Sequence, residues 1–172
     1  SCVAVFFMQV LEVINPGIIT TIQDLGRYGY QRYGVPVSGA MDVFSLRVAN
    51  GLVGNDERAA GLEITAVGAS FCFLSDAVIA ITGGDLNPHI NNQAVSMWHP
   101  IVVAAGSRLD FIEPRAGFRA YLAIHGGIDI PLVLGSRSTD VRSGIGGLDG
   151  RSLQRNDILS IMTEESSLTF AG

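Results

Sequence analysis

The sequence of 172 residues contains no lysine, because all eleven basic residues are arginine. This absence excludes several chemistries that need a lysine amine within the chain. They are the phosphate-binding loop of the G-x-x-x-x-G-K-[ST] type, the Schiff-base enzymes and the biotin carriers. A nucleotide or a biotin group would therefore have to reach this chain from a partner protein.

The chain also has little charge and few cysteines. Charged residues make up 16% of it and the net charge is −5, so the electrostatic footprint of a nucleic-acid-binding protein is missing. Cys2 and Cys72 lie far apart and lack the spacing of metal ligands, and Cys72 is interpreted as a buried structural thiol. No apolar run approaches the roughly 20 residues that a membrane-spanning helix needs. We expect a cytoplasmic protein without a metal site.

The abundance of glycine (21 residues) and the apolar fraction of 48% favour a mainly β fold with many tight turns. Short β-branched or aromatic segments between turn residues recur at the spacing of an antiparallel barrel or sandwich. These predicted strands are residues 9–14, 18–22, 62–67, 69–74, 77–82, 89–95, 100–103, 108–112, 118–125 and 158–162. Asn91 and Asn92 are predicted to form a hairpin turn within residues 89–95.

One principal α-helix is predicted at residues 43–53, with Asp42 as its N-cap. Its predicted buried face consists of apolar residues at helical spacing: Phe44, Val48, Leu52, Ala49 and Val53.

Three parts of the chain are distinguished. Residues 1–7 are expected to be a non-native extension upstream of a natural start at Met8, and residues 8–162 form one β domain. Residues 163–172 have no clear partner and are expected to be a disordered tail.

Residues 23–42, QDLGRYGYQRYGVPVSGAMD, form a long glycine-rich loop before the predicted helix. Asp24 and Arg27 are close enough in sequence to pair, and residues 38–40 lead to a helix N-terminus, whose free N–H groups favour an anion. The loop is either a binding element or an ordered loop held by Asp24, Arg27 and packed tyrosines, and the residues alone leave both open.

A second glycine-rich stretch, residues 134–151, contains Arg137 between two serines. A guanidinium flanked by hydroxyl groups suits the recognition of a carboxylate or phosphate, although a structural pair with Asp140 is equally compatible. Residues 144–150, GIGGLDG, either cradle an anion through their backbone N–H groups or form turns.

Two further residues are candidates for acid–base chemistry at strand ends. Asp85 follows two glycines at the exit of an apolar strand and is either a general base or the acceptor of local backbone hydrogen bonds. His125 precedes Gly126 and Gly127, where a backbone could approach a ligand, and its alternative is an isolated side chain at a strand end.

Several segments occur together in a specific order along the chain. They are TTIQDLGR (20–27), GVPVSGAMD (34–42), NGLVGND (50–56), LEIT (62–65), TGGD (82–85), AYLAIHGG (120–127) and GSRSTD (135–140). With them, residues 8–159 resemble the family variously labelled biotin-dependent carboxyltransferase-related, allophanate hydrolase subunit 2, or KipA-like. Family members continue through a second half, so the resemblance is to their N-terminal half.

The resemblance implies a cyclophilin-like antiparallel β-barrel that works with a sister subunit of the KipI-like or allophanate hydrolase subunit 1 type. One bacterial branch is the C-subunit of 5-oxoprolinase, which with its partners opens 5-oxoproline to glutamate at the expense of ATP. The alternatives are a carboxyltransferase module of the urea carboxylase type and a non-catalytic regulator of the KipA type. ATP with Mg²⁺, or biotin, would come through partner subunits, and the isolated chain is expected to be inactive.

On the 5-oxoprolinase interpretation, Arg27 or Arg137 would bind the carboxylate of a small carboxylate or amide substrate. The residues expected to line the substrate cleft are Gln23, Asp24, Arg27, Ser38, Gly39, Arg137 and Ser138. The acid–base candidates are Asp85, Glu63 and His125.

Overall fold

The computed structural model describes residues 4–164, which form eleven β-strands, one α-helix and one short 3-10 helix. The strands are β1 (Val5–Pro16), β2 (Ile19–Gln23), β3 (Gly61–Thr65), β4 (Ala69–Phe73), β5 (Ala77–Asp85), β6 (Pro88–Ile90), β7 (Gln93–Ala94), β8 (Ile101–Val103), β9 (Arg108–Phe111), β10 (Ala116–Ile124) and β11 (Ile158–Glu164). The helix α1 is Val43–Leu52, and the 3-10 helix is Gln31–Tyr33.

The strands form two antiparallel sheets that enclose the main core. One has the order β11-β1-β4-β9-β6-β7, and the other has the order β2-β3-β10-β5-β8. The predicted mainly β fold with one α-helix is confirmed, but within residues 4–164 the sheets do not close into one barrel. At the free edge of β2, the carbonyls of Thr20 and Ile22 accept hydrogen bonds from Leu153 and Thr139, which belong to irregular segments rather than to a strand of the other sheet.

The second half of β10, residues 120–124, is buried on both faces, which explains its continuous apolar run. Leu122 and Ile124 point into the core between the sheets, whereas Tyr121 and Ala123 face α1. Successive side chains of a strand alternate between faces, so a strand covered on both sides shows no polar alternation.

Strands β1 and β11 pair with each other, and this pairing includes the first residues of β1. Val5 lies opposite Glu164 and Phe7 opposite Met162. Residues 5–7, which the sequence analysis assigned to an upstream extension, are therefore part of β1, and the natural start at Met8 stays a prediction. The tail prediction falls partly on β11, which runs to Glu164, and residues 165–172 lie outside the described residues.

Helix α1 begins as predicted, because Asp42 accepts a hydrogen bond of 3.0 Å from the Ser45 amide. The predicted buried face is wrong in one respect, since Phe44 is 68% exposed. The buried side chains of the helix are Ser45, Leu46, Ala49 and Asn50.

The polar members of this buried face are hydrogen-bonded, which makes their burial possible. The Ser45 hydroxyl donates to the Asp42 carboxylate, and the Asn50 side-chain amide donates to the Ala59 carbonyl. Ala49 and Val53 of the predicted face are buried, so the true face overlaps the predicted one but has Leu46 in place of Phe44.

Two smaller predictions have different outcomes. The hairpin between β6 and β7 turns at Asn91 and Asn92, both of which have positive φ as a tight hairpin turn requires. Cys72 is half-buried rather than buried, because the inward positions of β4 are Phe71 and Phe73.

Within residues 4–164, the structure has no helix that is both long and apolar enough to cross a membrane.

The segment between β10 and β11 has no regular strand. Its bridges are isolated ones, such as Ile128 with Ile161 and Val133 with Ser136. Scattered backbone hydrogen bonds, such as that from Ile128 to Ala60, and side-chain hydrogen bonds together hold this segment in place.

Candidate functional site

A surface groove lies where the loop after β2, the turn after α1 and the irregular segment after β10 meet. It consists of two adjoining cavities of about 570 and 380 Å³. Asn55, Asp56, Gly126 and Met162 line both cavities, so the two form one continuous groove. This groove is large enough for a small-molecule ligand.

Arg137 lines the larger cavity. Its Nε atom donates a hydrogen bond of 2.9 Å to the Ile130 carbonyl, and this bond orients the guanidinium plane. The alternative pair with Asp140 is not formed within the described residues, where Asp140 instead accepts bonds from the amides of Arg142 and Ser143. The terminal nitrogens of Arg137 are thus available for an anionic group in the groove.

Asp24 lines the same cavity but is 5% exposed, and its carboxylate is occupied by groups of the protein. Its Oδ1 atom accepts bonds from the Ser136 and Ser138 hydroxyls, each of 2.6 Å, and from the Gly26 amide. Its Oδ2 atom accepts a bond of 2.7 Å from the Arg137 amide. Asp24 thus holds the segment that carries Arg137.

Arg27 is fully buried and donates to carbonyls of the same segment. Its Nε atom lies 2.7 Å from the Val133 oxygen, and its Nη2 atom lies 3.0 Å from the Ser138 oxygen and 3.3 Å from that of Ser136. The expected ion pair with Asp24 is therefore wrong, because both side chains bind the segment 133–138 instead of each other.

Gln23 and Ser138, two further residues predicted to line the cleft, form hydrogen bonds within the protein. The Gln23 side-chain amide donates to the Thr139 carbonyl, and the buried Ser138 hydroxyl accepts from the Asp24 amide. Neither Gln23 nor Ser138 lines the groove. Their substrate contact stays a prediction.

Ser38 and Gly39 belong to the arm of the loop that packs against Gly26. A Cβ atom at Gly39 would come within 2.9 Å of the Gly26 backbone, and both glycines have positive φ. Only residues without a side chain allow the two arms of the loop to approach so closely. Neither Ser38 nor Gly39 lines the groove.

The helix N-terminus after residues 38–40 is already occupied by carboxylates of the protein. Asp42 caps the Ser45 amide, and Glu63 accepts a bond of 2.9 Å from the Met41 amide. The expected preference for an anion at this N-terminus is thus met from within the chain.

The predicted anion cradle at residues 144–150 is likewise engaged internally. The amides of Gly144, Gly147 and Gly150 donate to the carbonyls of Asp140, Arg137 and Gly146. This stretch packs against the segment 136–139 as a structural support.

Of the three acid–base candidates, His125 lines the groove. Its Nδ1 atom lies 2.7 Å from the Val53 carbonyl oxygen, which can only accept a hydrogen bond. In the neutral ring the proton is therefore on Nδ1, and Nε2 is the nitrogen with a free lone pair. His125 is thus equipped to accept a proton.

Asp85 lies at the opposite end of the same strands. It pairs with Ala116 at the start of β10, whereas His125 follows the end of β10 and bonds to Val78 near the start of β5. At about 3.3 Å per residue, the two side chains are about 20 Å apart or more. A hydrogen bond from the Asn87 amide, together with the Arg115 guanidinium, lowers the pKa of the Asp85 carboxyl. Asp85 and His125 cannot act on one ligand.

Glu63 lies in the middle of its sheet beneath α1. It is 9% exposed and accepts bonds from the Met41 amide and the Tyr121 hydroxyl. It does not line the groove, so the structure does not bring it together with His125 or Asp85.

Sequence reasoning missed three groove residues in the turn after α1, namely Asn55, Asp56 and Arg58. Asn55 joins the helix end to the exit of β10, because it donates to the Ile124 carbonyl and accepts from the Gly126 amide. Arg58 bonds to Asp56 and lowers the pKa of that carboxyl. The motif NGLVGND, quoted for the resemblance, was the signal that could have identified this turn.

Among residues 4–164, the structure contains no cluster of three or more histidine, cysteine, aspartate or glutamate side chains that could hold a metal ion. The chemistry that the groove offers is that of an arginine for anion binding and a histidine for proton transfer.

Comparisons with known proteins match nearly the whole chain. Residues 33–171 match the model of the family "Carboxyltransferase domain, subdomain A and B". Over 151 residues the chain is 44% identical to the 5-oxoprolinase C-subunit of Escherichia coli, and over 158 residues it is 44% identical to urea amidolyase of Saccharomyces cerevisiae. The crystal structure of Kluyveromyces lactis urea carboxylase superposes with a TM-score of 0.86 at 43% identity.

These matches cover most of this chain but only smaller shares of the matched proteins. They include 88% of this chain but 49% of the E. coli protein, and 91% of this chain but 9% of the yeast urea amidolyase. The superposition covers 91% of this chain and 14% of the K. lactis chain. The chain therefore spans about half the length of the bacterial relative. The resemblance inferred from the motifs is confirmed, and the chain belongs to the carboxyltransferase domain family of subdomains A and B.

Proposed function

We propose that this chain is part of a subunit of a 5-oxoprolinase-type amidohydrolase, which opens 5-oxoproline to glutamate with ATP and partner subunits. The observation that carries the proposal is the groove in which Arg137 and His125 line adjoining cavities. The identity of 44% to a 5-oxoprolinase C-subunit supports it.

The substrate chemistry fits this pair of residues. 5-Oxoproline is a small lactam with one carboxylate, which matches the terminal nitrogens of Arg137 in charge and shape. His125 would accept a proton from the water that attacks the lactam carbonyl, because its Nε2 carries the lone pair. Carbon and sulfur atoms of Ala59, Leu132 and Met162 provide apolar walls for the ring.

The nucleotide would be bound by a sister subunit of the KipI-like type. This chain has no lysine with which to form a phosphate-binding loop, and its net charge is −5. The active enzyme of this proposal is a cytoplasmic complex in which a partner subunit supplies ATP and Mg²⁺.

A second candidate function is a carboxyltransferase module that takes a carboxyl group from the carboxybiotin of a partner. The observation that favours it is the identity of 44% to a urea amidolyase over 91% of this chain. The same groove would then hold the acceptor of the carboxyl group.

The test is to purify this chain with its sister subunits and to assay the complex with ATP and either 5-oxoproline or urea plus bicarbonate. Glutamate formation from 5-oxoproline supports the first function. ATP consumption that depends on urea and bicarbonate supports the second, and turnover of neither contradicts both and points to a binding role.

The role of Arg137 is tested in the same complex. Arg137→Ala is expected to raise KM for 5-oxoproline about tenfold or more, because a charge-assisted hydrogen bond to the carboxylate is lost. Arg142→Ala is the matched control, since Arg142 is an exposed arginine close by in the chain. An unchanged KM in Arg137→Ala would remove Arg137 from the binding site.

A further inference from the structure

The segment 131–139 presents Arg137 to the groove, and only its last residue, Thr139, is hydrogen-bonded to a strand, through Ile22 of β2. Its one bridge, between Val133 and Ser136, lies within the segment itself. The position of residues 133–138 relative to the loop after β2 therefore depends largely on side chains that reach across from that loop. Asp24 and Arg27, three residues apart in the loop, supply these contacts.

Asp24 and Arg27 bind different polar groups of this segment. The negative carboxylate accepts hydrogen bonds from its donors, and the positive guanidinium donates to its acceptors. The Asp24 carboxylate accepts from three donors: the Ser136 hydroxyl, the Ser138 hydroxyl and the Arg137 amide. These bonds join an ionised carboxylate to close donors, which makes them stronger than bonds between neutral groups. Arg137 is thus held directly through its own backbone.

The Arg27 guanidinium takes the acceptors of the same segment. It donates to the carbonyls of Val133, Ser136 and Ser138, which flank Arg137 on both sides. The planar fork of a guanidinium reaches several acceptors in fixed directions, which a lysine ammonium cannot reproduce. Together, Asp24 and Arg27 fix both the donors and the acceptors around Arg137.

Stability alone gives no reason to bury this guanidinium. Arg27 is 0% exposed and its Nη1 atom has no hydrogen-bond partner among the described residues. Within those residues no carboxylate forms a salt bridge with it. A buried cation without a direct salt bridge often leaves a protein less stable than a well-packed apolar side chain would. The guanidinium instead supplies three hydrogen bonds to the carbonyls around Arg137.

We propose that Asp24 and Arg27 are positioning residues that hold Arg137 in its binding orientation in the groove. This inference rests on the proposed function for its kinetic consequence, because Arg137 is the group that meets the substrate carboxylate. In this role Asp24 and Arg27 act through Arg137, and the substrate contact predicted for the two residues themselves stays a prediction.

The kinetic test uses the assembled complex with the variants Asp24→Asn and Arg27→Gln. Each is expected to raise KM for 5-oxoproline about tenfold, as the loss of a charge-assisted bond would, while kcat changes less. In the background of Arg137→Ala, neither substitution should raise KM further, because the residue they position is gone. A full additional increase in that background would overturn the proposal, as would an unchanged KM in the single variants.

A matched control separates positioning from general destabilisation. Like Asp24, Asp76 accepts a hydrogen bond from a backbone amide, that of Ala105 in a distant turn. The variant Asp76→Asn therefore removes the charge of a comparable carboxylate. It is expected to leave KM unchanged even if the melting temperature falls. A KM change in Asp76→Asn equal to that in Asp24→Asn would contradict a specific role of Asp24.

A second readout requires no substrate and therefore remains decisive if the proposed function fails. Amide hydrogen exchange of the chain reports the bond from the Arg137 amide to Asp24 directly. Asp24→Asn should speed exchange of the Arg137 amide about tenfold or more, while the Leu122 amide in β10 stays protected. Unchanged exchange at Arg137 would overturn the positioning role, whatever reaction the complex catalyses.

Discussion

The phenol of Tyr121 donates a hydrogen bond of 2.8 Å to Oε2 of Glu63 in the buried layer beneath α1. The same phenol oxygen accepts a bond of 2.9 Å from the amide of Asp42, the N-cap of the helix. Burial raises the pKa of the Tyr121 phenol well above its ordinary value, with the Glu63 carboxylate acting in the same direction. The pair thus anchors the start of α1 to the sheet.

Replacement of Tyr121 by phenylalanine should lower the free energy of unfolding by about 1–3 kcal/mol, because the Asp42 amide loses its acceptor and the buried Glu63 carboxylate loses one of its two donors. The measurement is urea denaturation at neutral pH. Tyr33→Phe, at a position 67% exposed, is the control and should change little. Equal stability of Tyr121→Phe and the parent chain would contradict the anchoring role.

The pair of Arg151 and Asp157 should make stability depend on acid pH. The Arg151 guanidinium binds both carboxylate oxygens, at 2.7 and 3.0 Å, and lowers the pKa of Asp157. A carboxyl whose pKa is lower in the folded state adds stability above its unfolded pKa of about 3.9 and loses it as pH falls.

We therefore expect Asp157→Asn to cost about 1 kcal/mol at pH 7 and progressively less below about pH 4. Urea denaturation from pH 7 to pH 2.5 measures the difference. Asp149→Asn is the control on the same arginine, because Asp149 is exposed and 3.9 Å away. A difference between parent and Asp157→Asn that does not change with pH would refute the assignment.

Two glycines of residues 144–150 provide a matched pair that tests the packing around Arg27. Gly144 and Gly146 have nearly equal positive φ values of 67° and 71°, so the backbone strain of an alanine is similar at both. A Cβ at Gly144 meets nothing, whereas one at Gly146 would overlap the Ser138 carbonyl and approach Nη2 of Arg27.

Gly144→Ala should therefore cost about 1 kcal/mol of stability, the strain of the left-handed backbone. Gly146→Ala should cost about 2 kcal/mol more, because the segment 136–139 must shift as well. Thermal unfolding of both variants checks the ordering. Similar melting temperatures for the two would mean that Gly146 is not packed as described.

The orientation of α1 can be tested with two apolar residues of the helix. Leu46 is 0% exposed and packs against Tyr121, whereas Phe44 is 68% exposed. Leu46→Ala should cost about 2–5 kcal/mol, and Phe44→Ala at most about 0.5 kcal/mol. If chemical denaturation gave the reverse order, the face predicted from the sequence would be the buried one.

The sequence by itself determined those features that depend on neighbours along the chain. The N-cap Asp42, the Asn91–Asn92 turn and most strands follow from local backbone preferences, which act over a few residues. The lack of lysine excluded a phosphate-binding loop without any knowledge of the fold. The ordered motifs identified the family, because their joint occurrence is specific.

The tertiary structure alone decided which groups Asp24 and Arg27 bind in the segment 133–138. The partners of Asp24 and Arg27 lie more than 100 positions away in the chain, so their proximity in sequence suggested a pair that does not form. The burial of Leu46 rather than Phe44 on α1 was likewise decided by packing, because Leu46 lies against Tyr121 of β10. His125 lines the groove and Asp85 does not, since the two lie at opposite ends of paired strands, a separation set by sheet order and register rather than by any local pattern.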